Sequence, residues 1–277
     1  TYVLHGDGDI QEPVAQGAIA LAGHWGLGKL IAYYDSNDAQ ISGKVSRSDS
    51  TDYKMMYESH GWQVITVNGH NRDEIRSAIR QAQMEYEKPT VIIGETIMAQ
   101  GCATMEGDYN THGAPLPPEE IKATKKKLGL NPNDSFYLPS DVLEDFRSSY
   151  TYSKEEVNAW NFNLNKRMQD QSFKDKWLMA INDELPNIDW PTFKSNQDMA
   201  TRKVWGSVIE TLAPLKETLV GGSADLDPSN VTVGFANMVK DFNKNNHSGR
   251  NFAYGVREFP MGAINNGIAQ HGGLKVF

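Results

Sequence analysis

Short, almost continuously apolar runs alternate with helical stretches through residues 2–97, and this restricts the fold more than any other feature. Tyr2 to His5, Lys29 to Tyr34, "WQVITVNG" (62–69) and "TVIIGETI" (90–97) read as strands. Between them, Pro13 suits the first turn of a helix reaching Trp25, a short helix precedes Trp62, and Arg72 to Tyr86 has helical spacing. Strands of this kind, separated by helices, imply a parallel sheet covered on both faces. The expectation is a doubly wound α/β domain in which Tyr2 to His5 is a buried strand.

Beyond Gly101 the chain turns polar and loop-like, until "PPEEIKATKKKLG" (117–129) supplies a helix with a proline start, early acids and late lysines. Residues 131–152 read as a linker and 153–184 as one long polar helix. "ELPNIDWPTF" (184–193) marks a domain boundary, giving domains 1–185 and 186–277. The α/β pattern then restarts with a helix at 198–212, strands "TLVGGSAD", "FAYGV" and "LKVF", and a helix at 258–271. The chain opens and closes inside strand patterns, so the second domain is expected to be incomplete and the whole an internal piece of a longer enzyme.

The net charge of −8 argues against a nucleic-acid partner. No apolar run approaches the roughly 20 residues needed to cross a bilayer, so no membrane role is expected. The single cysteine, Cys102, has no internal disulfide partner and suits a reducing cytoplasm. A lone cysteine is more often a packed side chain than a nucleophile.

"GDGDIQEP" (6–13) places an aspartate between two glycines at the end of the first strand. Ligands of open α/β sheets bind beyond such strand ends. Gly6 and Gly8 let backbone approach a phosphate, and the following helix N-terminus attracts anions. Asp7 would repel a phosphate unless a hard cation such as Mg²⁺ or Ca²⁺ stood between them. The next strand ends in "YYDSNDAQISG", where Asn37 offers an amide oxygen and a neighbouring backbone carbonyl a third ligand. Taken alone, GDG and "DSN" serve equally as tight turns.

GDG followed after about 30 residues by an asparagine resembles the thiamine diphosphate motif. "LGKLIAYYDSNDAQISG", "THGAPL", "ATRK", "GGSADLDPSN" and "YGVREFPMGAINNGIA" resemble transketolase segments, in transketolase order, across residues 1–277. The resemblance implies a diphosphate-binding domain followed by the start of a pyrimidine-binding domain, both doubly wound. It implies a homodimer with active sites at the subunit interface, in the cytoplasmic pentose phosphate pathway. The implied activity passes a two-carbon ketol unit between sugar phosphates through the cofactor's ylide. Dihydroxyacetone synthase, deoxyxylulose phosphate synthase and a non-catalytic fragment of such an enzyme are the alternatives.

By the same resemblance, Asp7, Asn37 and the Ala39 carbonyl hold the metal, and Gly6 and Gly8 lie against the diphosphate. Glu258 meets N1′ of the aminopyrimidine, where a carboxylic acid in an apolar setting keeps and shares its proton. His112 serves the reacting carbonyl. Asp225 approaches the cofactor from the partner subunit, and Arg202 and Ser229 hold the substrate phosphate. Four positions depart from the family pattern: Pro13, Gly17 in place of a glutamate, Phe259 and Pro260. Of an interfacial pair of glutamates only Glu12 remains, which puts a proton relay between the two sites in doubt.

Overall fold

The computed structural model describes residues 1–185, 187–196 and 198–277. Pro186, at the expected domain boundary, lies outside them. The chain divides into two compact units, one made of Thr1–Leu130 with Trp190–Phe277 and the other of Asn131–Asp189.

In the larger unit the order begins β1 (Tyr2–Gly6), α1 (Pro13–Trp25), β2 (Ile31–Ser36), α2 (Tyr53–Ser59), β3 (Gln63–Asn68), α3 (Arg72–Gln83), β4 (Thr90–Glu95) and α4 (Pro118–Lys127). The four strands form a parallel sheet in the order β1-β2-β4-β3. Alternation along the central strands serves both faces. Tyr34, Val91 and Ile93 join Ile10, Ala22, Tyr57 and Trp62 in one cluster, while Ile31 and Ile92 join Ala78 and Ala82 of α3 in another. The expected burial of the first strand does not hold. β1 is an edge strand, and Tyr2, Val3 and Leu4 are exposed.

The smaller unit consists mainly of α5 (Ser140–Arg167) and α6 (Gln171–Ile181). The expected linker is thus helical from Ser140, and the expected long helix is broken before Gln171. The break has a local cause: the Asp170 side chain accepts the Ser172 and Phe173 N–H groups and caps a new helix.

The larger unit resumes with α7 (Thr201–Leu212), β5 (Leu219–Ser223), α8 (Asp227–Asn230), α9 (Val233–Val239), β6 (Asn251–Ala253), α10 (Glu258–His271) and β7 (Lys275–Val276). These strands pair in parallel in the order β6-β5-β7. α9, unread in the sequence, is anchored by the fully buried Phe235. α1 ties the two sheets together. Ala22 enters the first core, whereas Leu21 and Trp25 pack with Val220, Phe252 and Tyr254 of the second. The Trp25 ring is ringed by Phe242, Phe252 and Tyr254, with centroids 5.5–5.8 Å away.

Candidate functional site

The register of the first sheet decides what meets at its carboxyl edge. Gly6 pairs with Asp35 and Asp35 with Gly94, so β1, β2 and β4 end level with one another. The chain leaving each strand lines one cleft of about 620 Å³, with Gly6, Asp7, Gly8 and Glu12 from the first, Asn37, Ala39 and Ile41 from the second, and Met98 and His112 from the third. Six residues expected from sequence at the cofactor therefore stand together.

Asp7 is 5% exposed, with Tyr34 Oη donating to its Oδ1 at 2.5 Å and the Asn37 N–H to its Oδ2 at 3.2 Å. Both donors are neutral, and each carboxylate oxygen keeps a lone pair. The Asn37 amide is oriented from both ends: Nδ2 donates to Asp35 at 3.1 Å and Oδ1 accepts the Ala39 N–H at 3.0 Å. This Asx turn needs the left-handed backbone of Asp38 (φ 55°), a conformation that aspartate tolerates better than most residues. Among the described residues, no group of three or more His, Cys, Asp or Glu side chains could hold a metal. The set at this cleft is of another kind: carboxylate, amide oxygen and main-chain carbonyl, all hard oxygen donors suited to Mg²⁺ or Ca²⁺.

The two glycines bear on whether GDG is merely a turn. A Cβ on Gly8 would meet nothing within 4 Å, and one on Gly6 only Asp9 Oδ2 at 3.9 Å. Neither has the left-handed φ that requires glycine, Gly8 being at −74°. The fold itself therefore has no need of glycine at either position, while a ligand lying close to the backbone would. A 3₁₀ turn, Asp9–Gln11, leads from Asp7 into α1, which starts at Pro13 as expected, and Asp9 takes the Gly6 N–H at 2.8 Å.

His112 closes a 3₁₀ turn at the end of a long loop held down by α4. Glu120, 8% exposed, accepts the Thr104 N–H at 2.8 Å, the Thr104 hydroxyl at 2.7 Å and the Met105 N–H at 3.3 Å. Thr124 accepts the Ala103 N–H, and Lys127 donates to the Cys102 carbonyl. The bonds that Glu120 itself accepts, the Thr104 N–H first among them, hold its carboxyl below its usual range. Cys102 is simply buried.

The remaining expected residues lie elsewhere on the larger unit. Asp225, with a left-handed φ of 67° after β5, lines a second cleft with His24, His60 and Arg257. Arg202, exposed on α7, lines a third with Asn230 and Thr232, and Ser229 is exposed beside it in sequence on α8. Glu258 opens α10, is exposed, and does not line the Asp7 cleft. Its own chain does not form the apolar setting expected for it. Tyr34, Asp35 and Thr96, which donates to Asp35, were not anticipated. Their place at strand ends beside Asp7 and Asn37 was the available signal.

Comparison with known proteins identifies the family. Residues 1–186 match the family described as transketolase, thiamine diphosphate binding domain, and residues 197–277 the transketolase pyrimidine binding domain. The chain is 39% identical to Bacillus subtilis transketolase over 100% of its own length and 42% of that relative's. It is 38% identical to Saccharomyces cerevisiae transketolase 1 over 98% of its length, again covering 42% of the relative. Solved transketolases from Campylobacter jejuni (37% identity) and Leishmania mexicana (35%) superpose with TM-scores of 0.90 and 0.93, covering 100% of this chain and 42% of theirs. A Pichia stipitis transketolase solved with sedoheptulose 7-phosphate gives 33% and 0.91, covering 99% of this chain and 42% of its own. The chain spans less than half the length of these relatives, and it belongs to the transketolase family.

Proposed function

We propose that this protein is a transketolase of the cytoplasmic pentose phosphate pathway. It moves a two-carbon ketol unit reversibly from a ketose phosphate such as xylulose 5-phosphate to an aldose phosphate such as ribose 5-phosphate. The reading rests above all on the Asp7 cleft, where three strand ends deliver Gly6, Asp7, Gly8, Asn37, Ala39 and His112 to one place. The sugar-phosphate complex of the Pichia relative supports the substrate class.

Bound thiamine diphosphate supplies an electron sink for carbon–carbon bond cleavage. Asp7, the Asn37 side chain and the Ala39 carbonyl hold Mg²⁺ or Ca²⁺, which offsets repulsion between Asp7 and the diphosphate. Gly6 and Gly8 let the main chain lie close to it. His112 hydrogen-bonds the substrate oxygen and moves a proton there. Glu258 of a second copy holds a proton at N1′ of the aminopyrimidine, and Asp225 approaches from that copy as well. Arg202 and Ser229 take the substrate phosphate, the guanidinium by its planar fork. The assembly is a homodimer, and its two domains are residues 1–185 and 186–277.

The test is turnover of xylulose 5-phosphate plus ribose 5-phosphate by the full-length protein, with thiamine diphosphate and Mg²⁺ supplied or withheld. Cofactor-dependent turnover is expected. Turnover only with formaldehyde as acceptor would make it a dihydroxyacetone synthase. Turnover only with pyruvate as donor would make it a deoxyxylulose phosphate synthase. No turnover by folded, cofactor-loaded protein would leave a binding role.

A further inference from the structure

Tyr34 occupies a core position that asks for a ring and gives no packing reason for a hydroxyl. It is 4% exposed and belongs to the cluster formed by Tyr57, Trp62, Val91 and Ile93. His5 stacks on it at 5.1 Å and 13°, and Tyr53 meets it edge-on at 5.8 Å and 81°. The hydroxyl nevertheless reaches Asp7 Oδ1 at 2.5 Å. A phenol carries its proton throughout the neutral range, so the hydroxyl is the donor and the carboxylate the acceptor of this bond.

A carboxylate on a short side chain swings about its last torsion, which is broad and shallow. Two donors on different oxygens stop that motion. The Asn37 N–H on Oδ2 is one, and Tyr34 on Oδ1 is the other. The first comes from a turn at the cleft's edge. The second comes from an aromatic ring clamped between two others, so its position is the more rigid.

We propose that Tyr34 is a positioning residue: its core-held hydroxyl fixes the plane in which the Asp7 carboxylate faces the divalent cation. This rests on the reading of Asp7 as a metal ligand. Mg²⁺ demands near-octahedral geometry, whereas Ca²⁺ accepts irregular arrangements. A carboxylate released to swing should therefore penalise Mg²⁺ more than Ca²⁺. Hydrogen-bond partners of metal ligands typically account for about 10–100-fold in affinity.

The experiment is calorimetric titration of thiamine diphosphate into full-length Tyr34→Phe and Asp7→Ala proteins at graded Mg²⁺ or Ca²⁺. Melting of the cofactor-free proteins is followed alongside. Tyr34→Phe should raise the half-saturating Mg²⁺ about tenfold or more, with a smaller rise for Ca²⁺. Asp7→Ala should lose metal-dependent binding. Equal losses for both cations, accompanied by a lowered melting temperature, would reduce Tyr34 to a structural role and overturn the proposal. So would wild-type metal dependence in Tyr34→Phe while Asp7→Ala binds nothing. Wild-type behaviour of Asp7→Ala would instead overturn the metal site itself.

Discussion

Gly17 of α1 and Pro260 of α10 are in contact so close that a Cβ built on Gly17 would lie 2.3 Å from Pro260 Cγ. The two departures from the transketolase pattern are therefore one coupled change. A glutamate at position 17, as the resemblance leads one to expect, could not share this space with a proline ring at 260. Pro260 itself does no harm to α10, because it falls in the first turn, where its missing N–H has no intrahelical partner.

This contact reverses a familiar sign. Glycine to alanine inside a helix ordinarily stabilises by about 0.5–1 kcal/mol. Gly17→Ala should instead destabilise by about 1–3 kcal/mol, since a rigid ring has no rotamer through which to yield. Adding Pro260→Ala should recover most of that loss, giving a coupling energy above about 0.5 kcal/mol. Urea unfolding of the two single variants and the double variant measures it, and a stabilised Gly17→Ala would refute the steric account.

The loop that carries His112 depends on the charge of Glu120. Its folded-state pKa is depressed, so its contribution is complete above the ordinary carboxylate range and is lost as pH falls through the lower folded value. Acidification through and below the ordinary carboxylate range should therefore progressively release residues 101–106 from α4, with Glu106, also depressed by its bond from the Gly101 N–H, acting in the same direction. At neutral pH, Glu120→Ala should strip hydrogen-exchange protection from the Thr104 and Met105 amides and leave those of α3 unchanged. Protection retained at both amides would show that the loop holds itself.

The meeting of Asp7 and Asn37 in one cleft was legible in sequence because its logic is local. Asp7 and Asn37 each end a strand, and parallel strands of one sheet bring such ends together whatever the rest of the chain does. Tyr34 was not legible, since an aromatic at an inward strand position reads as core, and only the fold reveals that its hydroxyl reaches Asp7. The exposure of β1 was equally hidden, because an apolar run has the same pattern at an edge as at the centre of a sheet. The start of α5 and the whole of α9 were missed for opposite reasons. α5 begins in a polar segment without a buried residue, and α9 is a two-turn helix held chiefly by Phe235.

Arg202 offers an exposed guanidinium in a cleft shared with Asn230 and Thr232. If it holds the substrate phosphate, Arg202→Ala should weaken phosphorylated donors by roughly tenfold to over a hundredfold, the equivalent of about 1.5–3 kcal/mol for a charge-assisted bond. Hydroxypyruvate, which lacks a phosphate, should be affected far less. Steady-state kinetics on the two donor types decides it, and equal losses would place Arg202 away from the phosphate.

Glu258 is exposed and stands apart from the cleft that contains Asp7, whereas the proposed function places the two at opposite ends of one cofactor. A two-fold homodimer resolves this if each site draws Asp7 from one copy and Glu258 from the other. Mixing Asp7→Ala protein with Glu258→Ala protein then has a definite outcome. In the heterodimer both lesions fall in one site, and the other site is intact. Two individually inactive proteins should regain at most about half of wild-type activity per heterodimer, as that symmetry requires. Subunit exchange is followed independently with differently tagged copies. If exchange is complete and activity stays absent, either each site is built within one chain or neither works without the other, and the shared-site reading in this form is lost.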